Sequence, residues 1–285
     1  ASGMFTAILV AIGVIEINHF FIKKNLVIRL PDSVPPNVAA PFNVLIPGIA
    51  SLVFFMGIDG LCHILIGTGF SGLIYAIFQP LLSATGSLPS IIIINLLMTT
   101  FWFFGVHGGN MLGVVVTPVT TAALALNAEA YAAGKELPCI FAGAFNTVYG
   151  GYISYMAVVL CLLFFSKASQ SKSIAKIAVV STAFNINEPV IFGLPTVLNP
   201  FTLIIFYICN NLNVAIAYGL MSSGFLGKFY ISLPVPGPLQ AWLASMDIKA
   251  IFVWFGLLVL DVIIAAPFMK AYDKQLLAEG ENAEA

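Results

Sequence analysis

Charge is what this chain has least of. Only 8% of its 285 residues are Asp, Glu, Lys or Arg, 12 acidic against 11 basic. Soluble globular domains carry roughly 25%, so these residues cannot cover a water-facing surface of this size. The net charge of −1 excludes the strong positive field that recruits nucleic acid. Histidine is rarer still: His19, His63 and His107 are scattered, without metal-ligand spacing. Cys62, Cys139, Cys161 and Cys209 stand singly in apolar surroundings, with neither metal nor redox spacing. They read as small buried hydrophobes. No nucleophile elbow or aspartyl pair supports an intramembrane hydrolase. The one glycine-rich run, Gly67-Thr-Gly-Phe-Ser-Gly72, follows an apolar segment rather than a Rossmann strand, and no acid follows at about 20 residues. No cofactor and no metal are expected. There is also no signal-peptide pattern and no initiator Met, so the opening Ala1-Ser-Gly-Met reads as the start of a fragment.

What fills the chain instead is apolar: 60% hydrophobic residues and a mean hydropathy of +1.03. The apolar runs are continuous rather than alternating, which excludes barrel strands. The fold class is therefore an all-α integral membrane protein, a polytopic helical bundle. A spanning helix needs ~20 mostly apolar residues, and residues 4–22, 44–66, 90–106, 152–165, 201–221 and 250–268 are the candidates. Residues 23–36 read as an amphipathic linker with a proline break, 71–87 as a surface segment, 166–176 as a basic loop and the tail after Lys270 as solvated. Three basic clusters, Lys23/Lys24/Arg29, Lys167/Lys172/Lys176 and Lys270/Lys274, are candidates for the cytoplasmic side. The last two agree with each other; the side of the first stays open. Within the spans, Glu16/His19 and Asp59/His63 share helical faces, Asn210, Asn211 and Asn213 cluster in mid-helix, and Asp261 is an isolated acid. Each pair or cluster is either structural or part of a polar lining.

Two stretches break the pattern. In the stretch from Asn185 to Pro200, Glu188 and Asn185, Asn187 and Asn199 lie among apolar residues, and Pro189, Pro195 and Pro200 prevent one continuous helix. Broken backbone at membrane depth is tolerated only where it is buried in protein or lines a cavity, and an ionisable residue there marks a functional site by default. The other break opens at His107-Gly-Gly-Asn110 and passes Pro118 and a charged tip at 129–136. Paired interrupted segments point to a transporter binding site. The expectation is two re-entrant hairpins, about 107–148 and 177–200, flanking a mid-membrane site. Its residue types, one buried Glu, one His and several amides, suit a neutral polyol. The candidate ligands are Glu188, His107, Asn110, Asn187, the backbone at Gly108, and Trp102 as a stacking face. Each has a structural alternative: a capping carboxylate, a satisfied imidazole, an ordinary core aromatic.

At these residues the chain resembles a known family. His107-Gly-Gly-Asn110 followed by Asn185-Ile-Asn-Glu-Pro-Val-Ile-Phe-Gly-Leu-Pro-Thr-Val-Leu-Asn-Pro200 is similar to the enzyme IIC component of bacterial phosphotransferase-system sugar permeases, in the lactose/cellobiose/diacetylchitobiose branch. The resemblance implies a disaccharide carried inward by alternating access across the bacterial cell membrane. It also implies a partner IIB subunit, phosphorylated on cysteine, that passes phosphate to a sugar hydroxyl from the cytoplasmic side. Glu188 matches the family's essential carboxylate and His107 its essential histidine. Family members are longer, with N-terminal spans that help form a homodimer. On that basis residues 1–36 are expected to hold the last helix of an interface domain plus the linker, and 37–285 the transport domain. The competing expectation is a proton- or sodium-coupled secondary sugar transporter. The residues do not choose among disaccharides.

Overall fold

In a computed structural model, residues 2–31, 35–74, 76–77, 86–194 and 196–284 are described. They are helical throughout their regular structure, and they fall into two compact units, 1–81 and 82–285.

The first unit holds α1 (Ser2–Lys23), α2 (Pro36–Asn43) and α3 (Leu45–Ile66). α1 meets α3 closely at Gly13, where a Cβ would stand 2.6 Å from the Phe55 ring. α3 ends at Gly67, whose φ of +76° glycine adopts without strain. Asp59 then accepts the Phe70 N–H at 2.8 Å, and His63 Nε2 stands 3.7 Å from Asp59. This pair is thus a structural clasp on the turn after α3, and the glycine-rich run is that turn. Residues 24–31 are irregular, so the expected amphipathic helix is absent from this part of the linker. The segment expected along the surface at 71–87 falls partly outside the described residues; 70–74 are helical.

The second unit runs α4 (Leu88–Phe103), α5 (Gly108–Ala132), α6 (Phe145–Tyr149), α7 (Tyr152–Phe165), α8 (Ser169–Ala183), α9 (Glu188–Gly193), α10 (Pro200–Ser222), α11 (Gly237–Ser245) and α12 (Lys249–Glu284). One apolar core gathers the rings of Phe145, Tyr149 and Phe229, with Tyr149 and Phe229 stacked at 5.9 Å. A second lies between α7, α8, α10 and α12 around Val158, Val159, Ile205, Cys209 and Ala265. Buried amides tie the elements together. Asn127 donates to Cys139 O and Phe229 O at 2.7 Å each and accepts from Cys139 N–H at 2.9 Å. Asn213 donates to the fully buried Asp261 at 2.8 Å, and Ser154 donates to Asn210 at 2.6 Å. The asparagine cluster of α10 is therefore mostly interhelical glue.

Six of the described helical segments are long and apolar enough to cross a membrane. α4 is not among them. At 16 residues it covers about 24 Å, short of a hydrocarbon core of ~30 Å. α5 is one 25-residue helix that continues through Pro118 and ends within the charged tip expected at 129–136. A proline inside a helix removes one backbone donor, here the one that would reach Val114 O four residues back, and the helix continues through it. α12 runs on to Glu284, past Pro267 and through the expected solvated tail. Its buried Asp273 accepts from Ser166 Oγ and from the backbone N–H groups of Lys167 (2.7 Å) and Ala168 (3.1 Å). That orders the basic loop, whose later part belongs to α8. Between α7 and α10 the backbone is broken as expected: α8 and α9 are 15 and 6 residues long.

Candidate sugar site

His107 begins α5 as its N-cap. Its Nδ1 accepts the Asn110 N–H at 3.0 Å, satisfying one of the donors that a helix N-terminus leaves free. With Nδ1 accepting, the neutral imidazole carries its proton on Nε2. His107 is thereby fixed as a hydrogen-bond donor toward the space it faces. The Trp102 ring lies 4.2 Å from the imidazole centroid, and Gly109 lies directly beneath it.

Glu188 is the first residue of α9, followed by Pro189 and preceded by Asn187 as N-cap. α9 is displaced from the line of α8 by a left-handed turn at Asn185 (φ +65°), a conformation asparagine tolerates. The turn is held by Asn185 Nδ2, which donates to Gln240 Oε1 at 3.1 Å; Gln240 in turn donates to Leu233 O at 2.9 Å. After α9 the chain touches the α4–α5 connection: Leu198 N–H donates to Phe103 O at 2.9 Å. The two breaks in the sequence are therefore neighbours in space.

A cavity of about 540 Å³ opens between these elements, within the ~300–1,000 Å³ usual for small-molecule sites. Trp102, His107, Asn187 and Glu188 all line it. Among the described lining residues Glu188 is the sole carboxylate, His107 the sole imidazole, and no Lys or Arg is present. The remaining polar surface consists of amides, hydroxyls and glycine backbone. Glu188 is exposed into this space rather than buried as its apolar sequence neighbourhood implies.

Two of the six candidate residues do not line the cavity. Gly108 is buried against α4, where a Cβ would stand 2.2 Å from Met98 O, so its glycine serves close helix packing. Asn110 is exposed, and its part in the site is the N–H that orients His107. Conversely, the cavity wall includes residues that sequence reasoning passed over. Among the described residues, Asn95 is 1% exposed with neither amide atom partnered, and Asn146 Oδ1 is buried without a partner, as is Oδ1 of the expected Asn187. Asn95 had a signal: a lone amide inside the run Ile91–Leu97 is costly in a bilayer unless something pairs with it. Among the described residues, no group of three His, Cys, Asp or Glu side chains could hold a metal ion.

Residues 1–210 match the family model described as "Phosphotransferase system, EIIC". The chain is 32% identical over 294 residues to the oligo-beta-mannoside-specific EIIC component of Bacillus subtilis (strain 168), covering 98% of this chain and 65% of that protein. It is 31% identical over 283 residues to the lactose-specific EIICB component of Streptococcus mutans, covering 97% of this chain and 50% of that protein. The chain thus spans between half and two thirds of the length of these relatives. The crystal structure of the transporter ChbC, the IIC component of the N,N'-diacetylchitobiose-specific phosphotransferase system, superimposes with a TM-score of 0.89 at 28% identity. That match covers 98% of this chain and 67% of that one. These relationships do not favour a gradient-driven secondary transporter. A multi-pass chain of the cell membrane, this protein belongs to the EIIC family of the phosphotransferase system.

Proposed function

We propose that this chain is the sugar-binding and translocating part of a phosphotransferase-system permease, and that the cavity takes a disaccharide. The observation that carries the reading is the cavity's chemistry: buried amides with unpartnered atoms, no cation, and a single carboxylate. Buried polar groups are nearly always paired. Amides left open around a cavity match a neutral ligand that brings many hydroxyls. A phosphorylated or acidic ligand finds no cation here.

The geometry supports the following roles. Trp102 offers its face to a pyranose ring, whose axial C–H bonds stack on aromatic surfaces. His107 Nε2–H donates to a ring hydroxyl, and the Nδ1 cap holds the imidazole in that orientation. Asn187 supplies an amide beside Glu188. The Glu188 carboxylate accepts the hydrogen bond of the reacting hydroxyl and takes its proton as the oxygen attacks phosphorus. With Nδ1 occupied by the Asn110 N–H, the imidazole can accept a proton there only by giving up the helix cap, which leaves Glu188 as the base. The phosphoryl group comes from a phosphocysteine on a IIB partner at the cytoplasmic side: the P–S bond breaks, the O–P bond forms, and the thiolate leaves. The sugar reaches that side by alternating access, in which the re-entrant α8–α9 break moves with its bound ring. The full-length protein works as a homodimer in the lipid bilayer.

Transport by vesicles reconstituted with full-length protein tests this. Labelled lactose, cellobiose or N,N'-diacetylchitobiose should accumulate as the phosphate when phosphoenolpyruvate and the cytoplasmic phosphocarriers are enclosed. Accumulation of unmodified sugar driven by a proton or sodium gradient alone would overturn the reading.

A further inference from the structure

Asp261 has no part in the chemistry above. It lies about 18 Å along α12 from Lys249, near the middle of a candidate span that runs Lys249–Ala278, and it is fully buried. Neither Asp261 nor its neighbour Asn213 lines the cavity, whereas Asn210, one turn earlier on α10, does. Asn213 Nδ2 donates to Asp261 Oδ2 at 2.8 Å. The other oxygen of each group, Asn213 Oδ1 and Asp261 Oδ1, is buried without a partner among the described residues. The groups packed around the carboxyl bring no positive charge. The Cys209 thiol of α10 stands against it, Cys161 of α7 stands beside Cys209, and α11 contributes no titratable residue. Among the described residues no Lys, Arg or His pairs with Asp261.

We infer that Asp261 is a proton-binding site: a neutral acid that holds one proton between α12 and α10 and closes a two-bond pair with Asn213. The inference does not depend on the sugar reading. With the acid ionised, both open oxygens are acceptors and neither can serve the other. A proton on Asp261 Oδ1 makes that atom a donor. The Asn213 carbonyl oxygen is the free acceptor of the amide already bonded to the other carboxyl oxygen. One proton thus satisfies two buried atoms and removes a charge that would stand unpaired in the membrane interior. A metal ion does not serve instead: a hard cation takes about six oxygens, and the pair offers only its two open ones. Because neither residue reaches the cavity, the proton is not exchanged with a ligand and is not passed on during transport. Its effect is to fix α10, which carries the cavity-lining Asn210, against α12.

Infrared difference spectroscopy on purified full-length protein tests this. At neutral pH the unaltered protein should show the carbonyl stretch of a protonated carboxyl group, and that band should shift when aspartate is labelled with heavy carbon at its carboxyl. Asp261→Asn should remove the band. Asn213→Leu should move it, since that change takes away both hydrogen bonds. Asp261→Asn keeps the planar shape without charge, so sugar affinity and phosphorylation-driven uptake should stay within a few-fold of the parent. If Asp261→Asn does not fold, the labelled parent and Asn213→Leu decide. A band that survives Asp261→Asn, or one unmoved in Asn213→Leu, overturns the inference, as does the absence of any protonated aspartate band from the unaltered protein. A folded Asp261→Asn protein that binds sugar but has lost uptake would show that the proton is passed on, which overturns its fixed role.

Discussion

His107 does two jobs that substitution can separate. Its Nδ1 caps α5 and its ring lines the cavity, where Nε2–H is the donor left for a ligand. His107→Asn keeps a capping oxygen, since asparagine is among the best N-caps, but removes the Nε2 donor. His107→Ala removes both. Loss of an N-cap costs about 1 kcal/mol, which in a chain of this size moves the unfolding midpoint by about 2–4 °C. Loss of one neutral hydrogen bond to the ligand is worth about 1 kcal/mol, or roughly five- to tenfold in Kd. The expected pattern is therefore specific. The asparagine variant melts with the parent but binds sugar several-fold more weakly, whereas the alanine variant shows both defects. Differential scanning fluorimetry in detergent and equilibrium sugar binding on the same preparations read the two terms. A His107→Asn variant with unchanged sugar affinity and unchanged phosphorylation removes the donor role. A His107→Ala variant with an unchanged midpoint removes the cap.

Three further outcomes follow. Gly108→Ala forces a methyl group onto the Met98 carbonyl; overpacking against backbone costs about 1–3 kcal/mol and moves the start of α5, so sugar affinity and thermal stability should fall together. Asn127→Leu deletes three buried hydrogen bonds and leaves Cys139 N–H without its acceptor; a loss of about 2–4 kcal/mol, read by scanning fluorimetry, is expected. A midpoint unchanged in the leucine variant would show that the amide does not pin the chain at Cys139 and Phe229. Burial pushes the Cys139 thiol up, against an opposing pull from Lys228. At neutral pH it is accordingly more protonated than an exposed cysteine, whose pKa is about 8.5. Maleimide labelling followed by mass spectrometry should be slow at pH 7 and still accelerating above pH 9.

The site was more legible in the sequence than the path of the chain. Glu188 and His107 announce themselves because a membrane makes isolated polar groups conspicuous, and glycine and proline mark where helix gives way. What the sequence obscured was which glycine does what. Gly108 and Gly109 look alike beside His107, yet one packs on α4 and the other underlies the imidazole. Pro118 looked like a break and is not one, because a helix loses only one bond at a proline. Asp59 and His63 read as a structural or gating pair, or as a polar lining; only the fold brings the Phe70 N–H to the carboxylate. Asn95 was hidden by its neighbours. A single amide in an isoleucine-rich helix usually finds a partner on another helix, and that it has none is visible only in three dimensions.

The central claim is that the Glu188 carboxylate accepts the proton of the sugar hydroxyl during phosphoryl transfer. Glu188→Gln keeps size and hydrogen-bonding capacity and removes only the base, so single-turnover phosphorylation of bound sugar by the phosphorylated IIB partner measures it directly. The account predicts sugar affinity within a few-fold of the parent and a transfer rate lower by about 10²–10⁴. Transfer at the parental rate, with sugar bound and the partner phosphorylated, would contradict it.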